Sequence, residues 1–366
     1  MIALPVLSPV QSRLPTVSAH AESSHADSAA LMIDNHGRPI TYVRLAVTDK
    51  CNLRCTYCMP ETMKFASERE LMTLDEMLRV MNVLASLGIR KVRITGGEPF
   101  VRKGLMELLW RLRELSGIDE VHITTNGILT APHVPQLAAL GINAVNLSLD
   151  TLDHERFKAI TRRDGLEAVL ATFHALVAHN VPTKLNAVVM DGINIDDIVP
   201  LARLTKEYPV EVRFIEDMPF DGASTTTSRA NAQDVRRLRW NYQAIVEHLR
   251  SAFPAMQQTE SDVHATSVNY AIAGHRGTVG VIAGFSRTFC GACNRLRITA
   301  KGILKTCLYD AGVADLKGLL RQGASDDDLR QTLLDSVAHR FKDGFEAEEH
   351  ARKYAPTLDS MSVIGG

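Results

Sequence analysis

The chain has 366 residues, 45% of them hydrophobic and 23% charged, and a net charge of −1. These values fit a globular protein with one large and one smaller domain, whose core needs no cross-links. They exclude a general binder of nucleic acid or membrane surfaces, so an anionic ligand must be met by local basic residues. No apolar run reaches the ~20 residues needed to cross a bilayer. The N-terminus lacks the basic-then-apolar pattern of a secretory signal, so a cytoplasmic location is expected.

Residues 1–38 are rich in Ser, Ala, Pro and His without a lasting period, and read as a disordered extension. Glu22 and Asp27 speak against a transit peptide there. From 41 to 215, strands are expected near 42–48, 89–95, 120–125, 143–149, 183–189 and 210–216. Between them, helices fit 74–87, 102–116, 131–140, 165–179 and 195–207. The first opens on a Thr73/Glu76 capping box and stops at Gly88. Leu105, Leu108, Leu109, Leu112 and Leu115 give the second its apolar stripe. Six β/α units in succession imply a parallel sheet.

The strands alternate instead of running uniformly apolar, which a sheet covered on both faces would require. Val43, Leu45 and Val47 interleave with Arg44, and Val92 and Ile94 with Lys91 and Arg93. Leu185 alternates with Lys184, and Val212 and Phe214 face opposite to Arg213. One face is apolar and meets helices; the other is polar and cationic. Burying unpaired cations is costly, so such a lumen must hold water and an anion. The expected α/β fold is a partial (β/α)6 TIM-like barrel over 39–218, closed by a smaller α+β domain over 219–366. In that domain 221–238 reads as a loop, with a helix from about 241 and strands near 266–272 and 278–283. Helices follow near 313–321 and 326–342, then a tail without period from Tyr354 to Gly366.

The six cysteines form two triads, Cys51/Cys55/Cys58 and Cys290/Cys293/Cys307. Disulfides are disfavoured in a large chain without a secretory signal, and each triad would leave one thiol unpaired. Metal binding is the better reading. Three thiolates can hold three corners of a 4Fe–4S cluster and leave one iron open to a ligand. Zinc remains the alternative, most of all for the CxxC of the second triad. The first triad follows the first strand, at the mouth where barrel enzymes place their chemistry. Gly96-Gly97-Glu98-Pro99, Thr124-Thr125-Asn126-Gly127 and Ser148-Leu149-Asp150 close the next three strands at the same mouth.

The CxxxCxxC run with Tyr57 before its third cysteine resembles the radical S-adenosylmethionine superfamily, and the three strand-end motifs agree in order. Further segments narrow the resemblance to the GTP 3′,8-cyclase family of molybdenum cofactor biosynthesis, over about residues 40–366. They are Thr48-Asp49-Lys50-Cys51, Arg93 to Pro99, Arg213 to Glu216, Met218-Pro219, Cys293 to Arg297 and the terminal Gly365-Gly366. The resemblance implies two [4Fe–4S] clusters, one per triad, and S-adenosylmethionine bound by Tyr57, Gly97, Glu98, Ser148 and Met218. It implies GTP as substrate, met by Arg44, Arg93, Thr124, Lys184, Arg295, Leu296 and Arg297. Lys91 and Arg213 join this set from their place on the lumen face. Gly365 and Gly366 are expected to enter the active site. The implied reaction is hydrogen abstraction from C3′ of the ribose by a 5′-deoxyadenosyl radical, then attack of the carbon radical on C8 of guanine. The product, 3′,8-cyclo-7,8-dihydro-GTP, would pass to a separate cyclic pyranopterin monophosphate synthase. A homodimer is a family expectation. The alternatives are a radical enzyme that modifies a peptide and a non-enzymatic zinc or cluster scaffold.

Overall fold

The computed structural model describes residues 31–218, 238–354 and 360–365. Six parallel strands lie side by side in chain order: β1 (Tyr42–Ala46), β2 (Lys91–Thr95), β3 (Glu120–Thr125), β4 (Ala144–Ser148), β5 (Thr183–Val189) and β6 (Glu211–Glu216). Between them run α1 (Leu74–Ser86), α2 (Leu105–Glu114), α3 (Val134–Ala139), the pair α4 (His154–Thr161) and α5 (Leu166–Ala178), and α6 (Ile198–Glu207). The capping box at Thr73 and Glu76 is formed, each side chain accepting from the other's backbone N–H. Among these barrel helices, α4 is the one the sequence pattern misses. It buries only Phe157, Ile160 and Thr161, too few apolar positions to mark a period.

The barrel alternation is clearest in β5, where every second residue is buried. Leu185, Ala187 and Val189 face the helix-covered core; Lys184, Asn186 and Val188 face the lumen.

The rest of the chain adds α7 (Tyr242–Ala252), β7 (Gln257–Gln258), β8 (Ser267–Ala271), β9 (Thr278–Ile282), β10 (Arg295–Ile298), β11 (Ile303–Lys305) and β12 (Ala314–Asp315). α8 (Leu316–Arg321), α9 (Asp326–Ala338), α10 (Gly344–Tyr354) and α11 (Met361–Ile364) follow. The described strands beyond residue 218 do not build a sheet of their own. β9 pairs parallel with β6, and β10 pairs parallel with β1. Both edges of the six-stranded barrel, whose open backbone groups would invite mispairing, are thereby covered. The result is one 12-stranded sheet in the order β12-β11-β10-β1-β2-β3-β4-β5-β6-β9-β8-β7.

Three sequence expectations change. Residues 31–38 are ordered: Met32 is buried in the core, its N–H donates to Leu87 O, and Ile33 bridges to Pro39. The expected disorder of 1–30 and the loop at 219–237 lie outside the described residues. The helix expected over 326–342 stops at Ala338, and α10 begins at Gly344. The tail, expected without structure, forms α11, whose Ile364 is buried.

Glu216, fully buried at the end of β6, ties the barrel to α7 and to the segment after β9. Its carboxylate accepts from the backbone N–H of Tyr242, Phe285 and Ser286 and from Ser286 Oγ. Glu216→Ala should strand three N–H groups, that of Phe285 buried and the other two half-buried, and cost about 3 kcal/mol, read as a lower denaturant midpoint of the cluster-free chain.

Candidate functional site

The first cysteine loop leaves β1 and turns back on itself. Cys58 N–H donates to Cys55 O at 3.0 Å, Leu53 N–H donates to Cys51 Sγ at 3.4 Å, and Arg54 Nη1 donates to Cys51 O at 2.7 Å. Tyr57 Oη donates to Asp150 Oδ2 at 2.9 Å, which fixes the loop against the end of β4. All six cysteines are free thiols. Burial, reinforced by the neighbouring thiols, pushes Cys55 well up and Cys58 to about 12. In the second triad burial pushes Cys307 to about 12. At Cys293 burial is overcome by Arg340 and Arg295, and the thiol falls to about 7. The other five thiols, buried together, stay protonated unless a metal replaces their protons, and such a group of thiols is a donor set a cluster can use.

The Gly-Gly-Glu-Pro segment lies directly under the first loop. Gly97 N–H donates to Thr48 O at 2.8 Å, and Glu98 N–H donates to Lys50 O at 2.8 Å. Contact is so close that a Cβ on Gly97 would lie 2.3 Å from Lys50 O. Gly96 takes φ +151°, and its Cβ would meet Thr48 O at 2.4 Å.

One cavity holds most of the expected site. Its wall includes all six cysteines, Tyr57, Gly97, Thr124, Ser148 and Met218, and the cations Arg44, Arg93, Arg213, Arg295 and Arg297. A second cavity at the N-terminal ends of the strands shares Arg44, Arg93, Arg213 and Arg295 and adds Lys91 and Lys184. A strip of positive charge therefore runs through the lumen. Burial, followed by mutual repulsion among the guanidinium groups, presses Arg93 and Arg297 down to about 9. Tyr42, which burial alone would raise, is drawn down to about 8 by Arg93, Arg44 and Arg295. The Nε of Arg44 and of Arg93, Thr124 Oγ1 and Asn186 Oδ1 are buried without a hydrogen-bond partner. The two orphaned guanidinium donors and the hydroxyl, beside concentrated cations, mark a binding site for an anion, and the orphaned Asn186 oxygen can accept from the same ligand.

At the far end the lysines are already paired. Lys91 Nζ lies 2.5 Å from Glu120, and Lys184 Nζ lies 2.9 Å from Glu211, which also holds Arg213 at 2.6 Å. Two expected site residues are placed elsewhere. Glu98 is not on the cavity wall; its buried carboxylate is spent on Phe100 N, Thr125 Oγ1 and Asn126 N, and burial pushes it up to about 7. Leu296 points its side chain into the core, because strand alternation sends it opposite to Arg295 and Arg297. Tyr42 and Glu211 were missed, although each stands two residues from a lumen arginine and so shares its face. Asp150 closes the Ser148-Leu149-Asp150 motif, whereas Asp217 beside it carries no such signal; burial pushes each carboxyl to about 6.

The tail enters this cavity. Met361 and Ser362 line it, Ser360 Oγ donates to Cys58 O at 2.7 Å, and Arg297 Nη1 donates to Gly365 O. Gly366 lies outside the described residues.

Residues 45–205 match the Radical SAM superfamily profile, and residues 210–345 match the profile Molybdenum Cofactor Synthesis C. A protein of Heliobacterium modesticaldum named GTP 3′,8-cyclase is 42% identical over 84% of this chain and 92% of its own length. The chain belongs to the GTP 3′,8-cyclase family. Molybdenum cofactor biosynthesis protein 1 of Homo sapiens is 37% identical over 86% of this chain, which spans about half (48%) of that longer protein. A crystal structure of Streptococcus suis SuiB bound to S-adenosylmethionine shares the fold, with a TM-score of 0.56 and 16% identity over 76% of this chain and 63% of that one. As a radical SAM protein, the chain takes a [4Fe–4S] cluster and S-adenosylmethionine. Among the described residues no helix is long and apolar enough to cross a membrane.

Gly97→Ala should drive the Gly-Gly-Glu-Pro segment away from the cysteine loop. The expected result is at least a tenfold loss of S-adenosylmethionine affinity, measured by equilibrium binding to the anaerobically reconstituted protein.

Proposed function

We propose that this chain converts GTP to 3′,8-cyclo-7,8-dihydro-GTP, the first step of molybdenum cofactor biosynthesis. Cys51, Cys55 and Cys58 hold the cluster that works with S-adenosylmethionine; Cys290, Cys293 and Cys307 hold a second [4Fe–4S] cluster. The observation that carries the reading is one cavity whose wall combines both triads with a strip of buried, incompletely neutralised arginines.

A [4Fe–4S] cluster held by Cys51, Cys55 and Cys58 and reduced by an external donor would supply the electron for reductive cleavage of S-adenosylmethionine. The chain's residues do the rest by position and charge. Gly97, Ser148, Met218 and Tyr57 border the space beside the first triad and hold the cofactor there. Arg44, Arg93, Arg213, Arg295 and Arg297 meet the ~4 negative charges of a triphosphate, for which forked guanidinium donors are suited. Lys91 and Lys184 extend that strip once the phosphates compete with Glu120 and Glu211 for them. Thr124 Oγ1 and Asn186 Oδ1, which find no hydrogen-bond partner within the protein, offer lumen hydrogen bonds to the nucleotide. Backbone from Ser360 to Gly365 closes one side and helps keep water from a reactive radical. The product would pass to a separate cyclic pyranopterin monophosphate synthase.

The test is anaerobic reconstitution with iron and sulfide, then incubation with S-adenosylmethionine, dithionite and GTP. Formation of both 5′-deoxyadenosine and the cyclised nucleotide, each dependent on GTP, is the expected result. Deoxyadenosine without a GTP product would move the substrate elsewhere, to a peptide first. Deleting Gly365 and Gly366 should lower product formation at least tenfold with iron content unchanged, and a peptide of the tail should restore part of it. Full activity of the deletion would remove the tail from the mechanism.

A further inference from the structure

Behind the second triad lies a buried ion cluster that the roles above do not use. Asp34, Arg38 and Arg340 are 5%, 6% and 4% exposed. Arg340, just past α9, commits all five of its N–H donors. Nε donates to Thr306 O at 3.0 Å; Nη1 donates to Cys293 O at 2.7 Å and to Asp34 Oδ2 at 3.3 Å. Nη2 donates to Arg295 O at 2.9 Å and to Cys293 Sγ at 3.2 Å. Arg38 Nη1 donates to Cys290 O at 3.1 Å, and its Nε donates to Asp34 Oδ2 at 2.6 Å. Asp34 Oδ1 accepts from the backbone N–H of His36 and Arg38.

Two arginines thus grip the carbonyls of Cys290, of Cys293 and of Thr306, the residue before Cys307. One carboxylate orients both. A purely structural tie between residues 31–40 and the chain after α9 would need only the carbonyl contacts. The N–H aimed at a ligand sulfur is surplus to that need. Hydrogen bonds and positive charge at cluster sulfurs favour the reduced, more negative state.

We infer that Arg340, oriented by Asp34, is a positioning residue for the second cluster. With Arg38 it fixes the three cysteine arms, and through Cys293 Sγ it holds the cluster's reduction potential up. The inference rests on the second-cluster reading given above.

The experiment uses the full-length chain with Cys51, Cys55 and Cys58 replaced by alanine, so that bound iron reports the second triad alone. After anaerobic reconstitution, iron content, the electron paramagnetic resonance of the reduced state and the midpoint potential are compared among Arg340, Arg340→Met and Arg340→Lys. The expected result is a more negative potential in the methionine variant and an intermediate one in the lysine variant, which keeps the charge but not the fork. Loss of iron from the methionine variant but not from the lysine variant would support the positioning role. If the methionine variant does not fold, the lysine variant decides: a potential below that of Arg340 supports the inference. Unchanged potential and iron in every folded variant overturn it. Zinc or no metal in the Arg340 protein would instead overturn the second-cluster reading, and this inference with it.

Discussion

Several guanidinium groups buried in one lumen, without enough carboxylate to neutralise them, set the terms for the rest of the molecule. Taking an unpaired cation out of water costs several kcal/mol, and Arg44, Arg93 and Arg297 are additionally pressed together. A barrel filled by side chains would have no room for them. The sheet therefore stays open to a ligand, with Glu211 and Glu120 balancing only the far end. The site is expensive when empty, and a polyanion relieves that cost.

The cysteines obey the same logic with the opposite sign. Six largely buried thiols are tolerable as neutral groups, and burial keeps five of them protonated by raising their pKa. Cys293 departs because Arg340 and Arg295 stand beside it. Negative charge on metal-ligating thiolates and positive charge on the arginines can then neighbour each other in one cavity, each lowering the desolvation cost of the other.

Much of this was legible in the residues. Period-two alternation in β1, β2, β5 and β6 separated the lumen face from the core face, and it placed Arg44, Lys91, Arg93, Lys184 and Arg213 on the correct side. Cysteine spacing gave the two triads. Glu98 misled because its motif sits at the mouth while its carboxylate turns inward to cap the next turn. Leu296 misled because a motif names neighbours in sequence, while a strand sends them to opposite faces. Asp34, Arg38 and Arg340 were invisible because their alliance joins positions about 300 residues apart, across a segment read as disordered. The Ser-, Ala-, Pro- and His-rich composition of residues 1–38 hid the structure that residues 31–38 adopt.

Pairing of β6 with β5 and of β10 with β1 makes the two profile-matched halves one hydrogen-bonded body, although they adjoin end to end in sequence. Neither half can unfold on its own without baring a strand edge of the other. On the ribosome, the barrel segment emerges first and must wait with two exposed edges until the strands that seal them have been made.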